Sequence, residues 1–206
     1  SWNEAMRSAY GRDPNDVEKQ WAEDLPRWTA GNWRNNLVAA FNLEPAKALF
    51  ARANYAAAKE ALDPSQTLFR QIDAPEKLDE VLRMIAQCDV GIQAESLMTQ
   101  TQQALEAHTY DRAINLLAQA KLQYEQLPEE QRPTERLVTY ERLANDGIRA
   151  TQRLDDATQL QSSWRDFPEA RSAAREAGMI FASLGDQEKV VQAQGVLDHV
   201  DKTQRQ

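Results

Sequence analysis

Apolar residues recur at intervals of three and four along most of the chain, a spacing that places them on one face of an α-helix. One such stripe runs from Glu76 to about Ala107 without a proline, and a second runs from about Thr134 to Ser163. Two shorter helical segments, Phe167 to Ser183 and Gln187 to Val200, are separated by Leu184-Gly185-Asp186. No segment shows a convincing strand pattern. The pattern predicts an all-α protein with about nine or ten helices, two of them long.

Prolines and capping residues mark several helix boundaries. Asp13 precedes Pro14, so its carboxylate can accept hydrogen bonds from free backbone N–H groups at a helix start. Glu44-Pro45 opens another helix. Asp63-Pro64-Ser65 is expected either to interrupt the helix around it or to start it anew. Gly91 is expected to permit a bend or a break, because glycine costs about 1 kcal/mol relative to alanine in a helix.

An aromatic residue followed three positions later by alanine occurs three times at the start of a predicted helix. The six positions are Tyr55 and Ala58, Tyr110 and Ala113, and Phe167 and Ala170. The aromatic residues lie 55 and then 57 positions apart, and a polar break precedes each one. A small side chain lets two helix backbones approach closely, while the aromatic ring fills the space beside the crossing. We therefore interpret all six as structural positions of a repeated helix pair that stacks on its neighbours.

This pattern resembles tetratricopeptide repeats, in which a small residue, an aromatic and then alanine open the second stretch of a helix pair. The resemblance covers roughly residues 44 to 205. It implies antiparallel hairpins stacked as an α-α superhelix. The chain departs from the family two positions before each aromatic residue, where the common glycine is replaced by Ala53, His108 and Arg165. Its interval of 55 to 57 residues also exceeds the 34 of the family, which predicts divergent hairpins with lengthened helices.

A second resemblance lies between Ala5 and Trp21, where an Ala-Tyr-Gly turn is followed by Glu-x-x-Trp. This segment is similar to the closing helices of the peptidase MA-like gluzincin metallopeptidases. It implies that residues 1–30 are the tail of an upstream peptidase-like domain and that residues 31–206 form the helical repeat domain. The first residue is serine without an initiator methionine, so we expect a fragment of a longer protein. The peptidase resemblance implies that this longer protein is extracytoplasmic. The gluzincin zinc site needs a His-Glu-x-x-His helix, which the sequence lacks, so no catalytic residue is carried over.

Charge and composition exclude some classes of function. The net charge is −8 and lysine and arginine form no cluster, which argues against a nucleic-acid partner. The content of 42% hydrophobic and 27% charged residues is typical of a soluble globular protein. No stretch approaches the roughly 18 apolar residues needed to span a bilayer, so we predict no membrane segment here.

The sequence offers little catalytic chemistry. His108 and His199 are the only histidines, and neither has a second histidine or a cysteine at ligand spacing, so we expect two helix-end histidines. Glu129-Glu130 and Asp155-Asp156 are adjacent pairs that we interpret as solvated surface. Cys88, the single cysteine, is expected to be a small buried hydrophobe. We predict no enzyme activity, cofactor or metal site in this chain.

Four of the five tryptophans lie in the first 33 residues, and a short helix is predicted over 32–41. These are Trp2, Trp21, Trp28 and Trp33. We expect them in the core, with an interface to an upstream domain as the alternative. Trp164 is expected to pack under the hairpin that follows it.

The leading hypothesis is a non-catalytic scaffold or protein-binding module that takes up a protein or peptide in a groove between hairpins. The alternative is a regulatory or structural C-terminal region of a peptidase MA-like zinc metallopeptidase. A third hypothesis is a long helical spacer without a concave surface.

Overall fold

The computed structural model describes residues 4, 7–8, 11, 13–30, 41–72 and 74–205, and within them it is built from helices without a strand. The all-α prediction is therefore confirmed. Eight α-helices have both ends in these ranges: α1 Pro14–Ala30, α2 Glu44–Ala51, α3 Tyr55–Gln71, α4 Pro75–Glu106, α5 Tyr110–Tyr124, α6 Thr134–Leu160, α7 Phe167–Leu184 and α8 Gln187–Gln204. A short 3-10 turn, Glu129–Gln131, lies between α5 and α6. The helix predicted over 32–41 falls, apart from Phe41, outside the described residues.

Two helices continue through residues that usually weaken them. α3 runs without interruption through Pro64, so Asp63-Pro64-Ser65 neither breaks nor restarts it. Leu62 and Phe69 are buried on either side of this proline, and their packing offsets the backbone hydrogen bond that proline cannot make. α4 extends over 32 residues, roughly 48 Å, and contains Gly91 without a break.

The helix ends follow local chemistry. The Oδ1 atom of Asp13 accepts a hydrogen bond from the backbone N of Asn15 at 3.0 Å at the start of α1. α7 ends at Gly185, whose φ of 76° places it in the left-handed region that glycine adopts without strain. The side chain of Asp186 then caps α8 by accepting from the backbone N of Lys189 at 3.1 Å.

The chain divides into two compact units, Ser1–Cys88 and Asp89–Gln206, with the division inside α4. The domain boundary that the sequence predicts between residues 30 and 31 adjoins a segment outside the described residues and stays a prediction.

In the first unit, α2 packs against α3, and two pairs of aromatic rings contact each other. The rings of Phe50 and Tyr55 meet edge to face with centroids 5.4 Å apart, and those of Phe41 and Phe69 do so at 5.1 Å. Cys88 is fully buried, as expected for a small hydrophobe.

In the second unit, α5, α6, α7 and α8 pack each against the next along the chain. Their connections are short, so neighbours run antiparallel. The part of α4 that belongs to this unit also lies beside α6, because the Tyr140 hydroxyl donates to Gln102 Oε1 at 3.2 Å and Arg136 Nη1 lies 3.1 Å from Glu95 Oε2. The contact between α7 and its neighbours is made largely by alanines, with buried members Ala150, Ala157, Ala173, Ala174, Ala177 and Ala193.

Candidate functional site

All six residues of the aromatic-to-alanine pattern are buried. Ala58, Ala113 and Ala170 have no exposed surface, and Tyr55, Tyr110 and Phe167 are almost completely covered. Ala113 lies in one apolar cluster with Ala104, Leu116 and Ala144, while Phe167 and Ala170 lie in another with Val200. These positions build the scaffold and are not exposed to a ligand.

Tyr110 occupies a special place among the three aromatic residues, because its ring covers Gly147 in the middle of α6. A Cβ atom at position 147 would lie 2.3 Å from the ring carbons Cγ and Cδ1. Glycine is therefore needed for the ring to lie directly on the helix backbone. Sequence reasoning missed Gly147, although a glycine inside a long apolar stripe was a signal of close backbone approach.

The hydroxyl of Tyr110 enters a buried polar cluster with His108 and Asp186. It donates to Asp186 Oδ2 at 3.3 Å and lies 3.3 Å from His108 Nδ1. Burial raises the pKa of the Tyr110 phenol well above its ordinary value of 10.0, and the charge and hydrogen bond of Asp186 raise it further. The phenol therefore stays a neutral donor, which suits it to linking the turn before α5 to the turn before α8 and not to proton transfer.

The residues two positions before Tyr55 and Tyr110 have an unusual backbone. Ala53 has φ 57° and His108 has φ 55°, and among the described non-glycine residues these two adopt positive φ. Both lie in the left-handed region, just before the helices that begin at Tyr55 and Tyr110. Such a conformation costs a residue with a Cβ atom roughly 1–2 kcal/mol.

The structure leaves His199 and both adjacent acidic pairs on the surface of the described chain. His199 lies exposed in α8, far along the chain from the His108 turn, and Glu129, Glu130, Asp155 and Asp156 are exposed. Within the described ranges, no group of three or more histidine, cysteine, aspartate or glutamate side chains is placed to hold a metal ion. In the same part of the chain, no helix has the length and apolarity to cross a membrane.

The tryptophan expectations need correction. Trp164 is 73% exposed, with the guanidinium carbon of Arg165 5.4 Å from its ring centroid, so its predicted burial is wrong. Phe167 takes the buried aromatic position of that hairpin instead. Trp21 is also exposed on α1, contrary to the core interpretation. Trp2, Trp33 and the side chain of Trp28 lie outside the described residues.

A cluster of polar contacts fixes Tyr124 at the end of α5. Its hydroxyl donates to Glu95 Oε1, and Arg136 Nη1 contacts the other oxygen of the same carboxylate at 3.1 Å. One glutamate of α4 thus joins α5 to α6. The tyrosine ring is buried beside the start of α6.

A cleft of about 240 Å³ opens next to this tyrosine, between the end of α5 and the start of α6. We call it the α5–α6 cleft. Tyr124, Leu137 and Val138 provide its apolar lining. Lys121 Nζ and Glu141 Oε1, 2.7 Å apart, join the two helices along it. Sequence reasoning did not identify this cleft, because it arises from two helices that are separated by a turn.

No protein-family model matches the chain, and neither a curated protein nor a solved structure matches it.

Proposed function

We propose that this chain is a non-catalytic helical-repeat module that binds a protein or peptide segment, with hairpins stacked in the manner of tetratricopeptide repeats. The observation that carries the proposal is the complete burial of Ala58, Ala113 and Ala170 at equivalent points of the pattern. Repeated close helix contacts favour a scaffold whose surfaces are made by successive hairpins.

In the second unit, buried and half-buried polar groups hold helices together, and the α5–α6 cleft is left as a surface for binding. Asp186 caps a helix and accepts from Tyr110, and Glu95 joins three helices. These buried or half-buried groups are occupied by structural partners. The α5–α6 cleft, by contrast, offers an apolar lining to the outside.

A selection from a random-peptide display library on the immobilised chain tests the proposal. We expect a sequence consensus to be enriched over the same selection on an unrelated helical bundle of similar net charge. Mass spectrometry of the selected peptide after incubation with the chain is expected to show it unchanged. No enrichment above the control bundle would remove the binding proposal, and cleavage or modification of the peptide would remove its non-catalytic part.

The peptidase-tail hypothesis stays a prediction. Part of the segment from Ala5 to Trp21 that carries the resemblance lies outside the described residues. Sequencing of the complete reading frame tests this hypothesis, which requires a zinc-binding helix upstream.

A further inference from the structure

The α5–α6 cleft combines an apolar lining with an exposed apolar side chain. Val138, which lines the cleft, is 58% exposed. Exposed apolar groups beside a concave surface are typical of interaction sites. The volume of about 240 Å³ is below the usual range for cofactor and drug-sized ligands, roughly 300–1,000 Å³. It suits one anchoring side chain of a larger partner.

The cleft itself is lined by two positive side chains, Lys121 and Arg132, and two negative ones, Glu125 and Glu141, whereas the segment that flanks it is mainly acidic. Glu125, Glu129, Glu130 and Glu135 are all exposed at the end of α5, in the 3-10 turn and in the first turn of α6. The nearby salt bridges, Lys121 with Glu141 and Arg136 with Glu95, involve none of these four glutamates.

Arg132 in this segment lines the cleft and forms no salt bridge among the described residues, but its positive charge offsets one of the four glutamates. The Nη2 atom of Arg132 donates to the backbone oxygens of Glu125 and Leu127, at 3.3 and 3.2 Å. From residue 125 to residue 135, four glutamates and one arginine give a net charge of −3 in the segment beside the cleft. Such a field attracts a cationic partner and repels an anionic one.

We propose that the α5–α6 cleft binds a basic amphipathic segment of another protein, with an apolar side chain in the cleft and lysine or arginine facing the glutamates. This inference rests on the proposed binding function and adds the site and the chemistry of the partner. An amphipathic helix with apolar residues at helical spacing is the segment that presents both features at once. A second copy of this chain fits less well, because each copy has a net charge of −8.

Fluorescence anisotropy with the whole chain and two labelled probe peptides tests this inference. The first probe is a short amphipathic peptide of leucine and lysine at helical spacing, and the second has glutamate in place of every lysine. We expect the lysine probe to bind and the glutamate probe to bind at least about tenfold more weakly.

Matched variants locate the site. Val138→Ser is expected to weaken binding of the lysine probe about tenfold, since it removes an apolar contact in the cleft. The control is Val191→Ser, the same change at an exposed position of α8, and it is expected to stay within about twofold. Thermal unfolding of each variant verifies that the fold is kept.

A second pair of double variants tests the charge requirement, with the same change of net charge in the test and in the control. Glu129→Lys with Glu130→Lys is expected to weaken binding at least about tenfold. Asp155→Lys with Asp156→Lys changes the net charge equally on exposed residues of α6 and is expected to have a smaller effect.

The outcomes separate this inference from the proposed function. Equal loss in the test and control variants, equal binding of both probes or no binding of the lysine probe would overturn the inference. If the display selection yields a consensus peptide whose binding is insensitive to Val138→Ser, the binding function stands and the cleft assignment falls.

Discussion

The ring of Tyr110 lies directly on Gly147. The aromatic residue is the first of α5, and the glycine is buried in the middle of α6. A methyl group on that glycine would lie 2.3 Å from the ring, well inside van der Waals contact. The contact joins a residue of the repeated pattern to a position that the pattern did not identify.

Gly147→Ala is expected to destabilise the fold. Alanine normally favours a helix over glycine by about 1 kcal/mol, but here the methyl group displaces the Tyr110 ring and overpacks the contact. We expect a net loss of about 1–3 kcal/mol in the free energy of unfolding, measured in urea. Gly195→Ala is the matched control, because nothing lies within 4 Å of a Cβ atom there, and it is expected to stabilise α8 by about 0.5–1 kcal/mol. A stabilised Gly147→Ala variant would contradict the contact.

Tyr110→Phe is expected to lower the free energy of unfolding by about 1–2 kcal/mol, because it removes a hydrogen bond to the buried carboxylate of Asp186. Tyr140→Phe removes an exposed hydroxyl contact to Gln102 and is expected to cost less than about 0.5 kcal/mol. Urea unfolding of both variants measures the difference. Equal costs would show that burial of the acceptor is unimportant.

The raised pKa of Tyr110 predicts a loss of stability at high pH. Above the ordinary pKa of 10.0 the phenol ionises in the unfolded state but keeps its proton in the folded state. Ionisation therefore stabilises the unfolded state, and the free energy of unfolding falls. The decrease in unfolding free energy that this group causes approaches about 1.4 kcal/mol per pH unit. Tyr110→Phe is expected to have a smaller decline in unfolding free energy above pH 10.0 than the unchanged chain. An identical decline in both would show that Tyr110 does not contribute.

Ala53→Gly is expected to stabilise the first unit by about 1 kcal/mol, because glycine adopts the left-handed backbone of this position without strain. Ala61→Gly makes the same change at an exposed position inside α3 and is expected to destabilise it by about 1 kcal/mol. Hydrogen exchange of the α3 amides measures both effects. Slower exchange with Ala53→Gly and faster exchange with Ala61→Gly is the expected result, and the opposite order would contradict it.

Ala113→Leu is expected to cost about 1–3 kcal/mol, because the larger side chain overpacks the cluster with Ala104 and Ala144. Ala118→Leu, at an exposed position of the same helix, is the control and is expected to change stability by less than about 0.5 kcal/mol. Thermal unfolding compares the two. No loss with Ala113→Leu would show that position 113 is not a close helix contact.

Much of the fold could be predicted from the local pattern of the sequence alone. Helical periodicity predicted α4 to α8 with ends that differ by a few residues from those in the structure, because spacing reports which side chains face a core. The breaks at Gly185 and at Pro14 follow from backbone chemistry that belongs to one or two residues.

The candidate site was harder to predict from the sequence. Val138, Glu125 and Arg132 are ordinary surface residues in the sequence, and only the return of the chain after α5 places them around one cleft. Trp164 and Phe167 are both aromatic and three positions apart, yet packing selects Phe167 for burial and leaves Trp164 in solvent.

The sequence by itself determined the helical class, the positions of most helix ends and the six small and aromatic residues of the pattern, because these depend on neighbours within a few positions. The tertiary structure alone decided that α3 continues through Pro64, that Tyr110 rests on Gly147 and that an apolar cleft opens beside Tyr124. These features depend on contacts between helices far apart in the chain, where packing outweighs local preference.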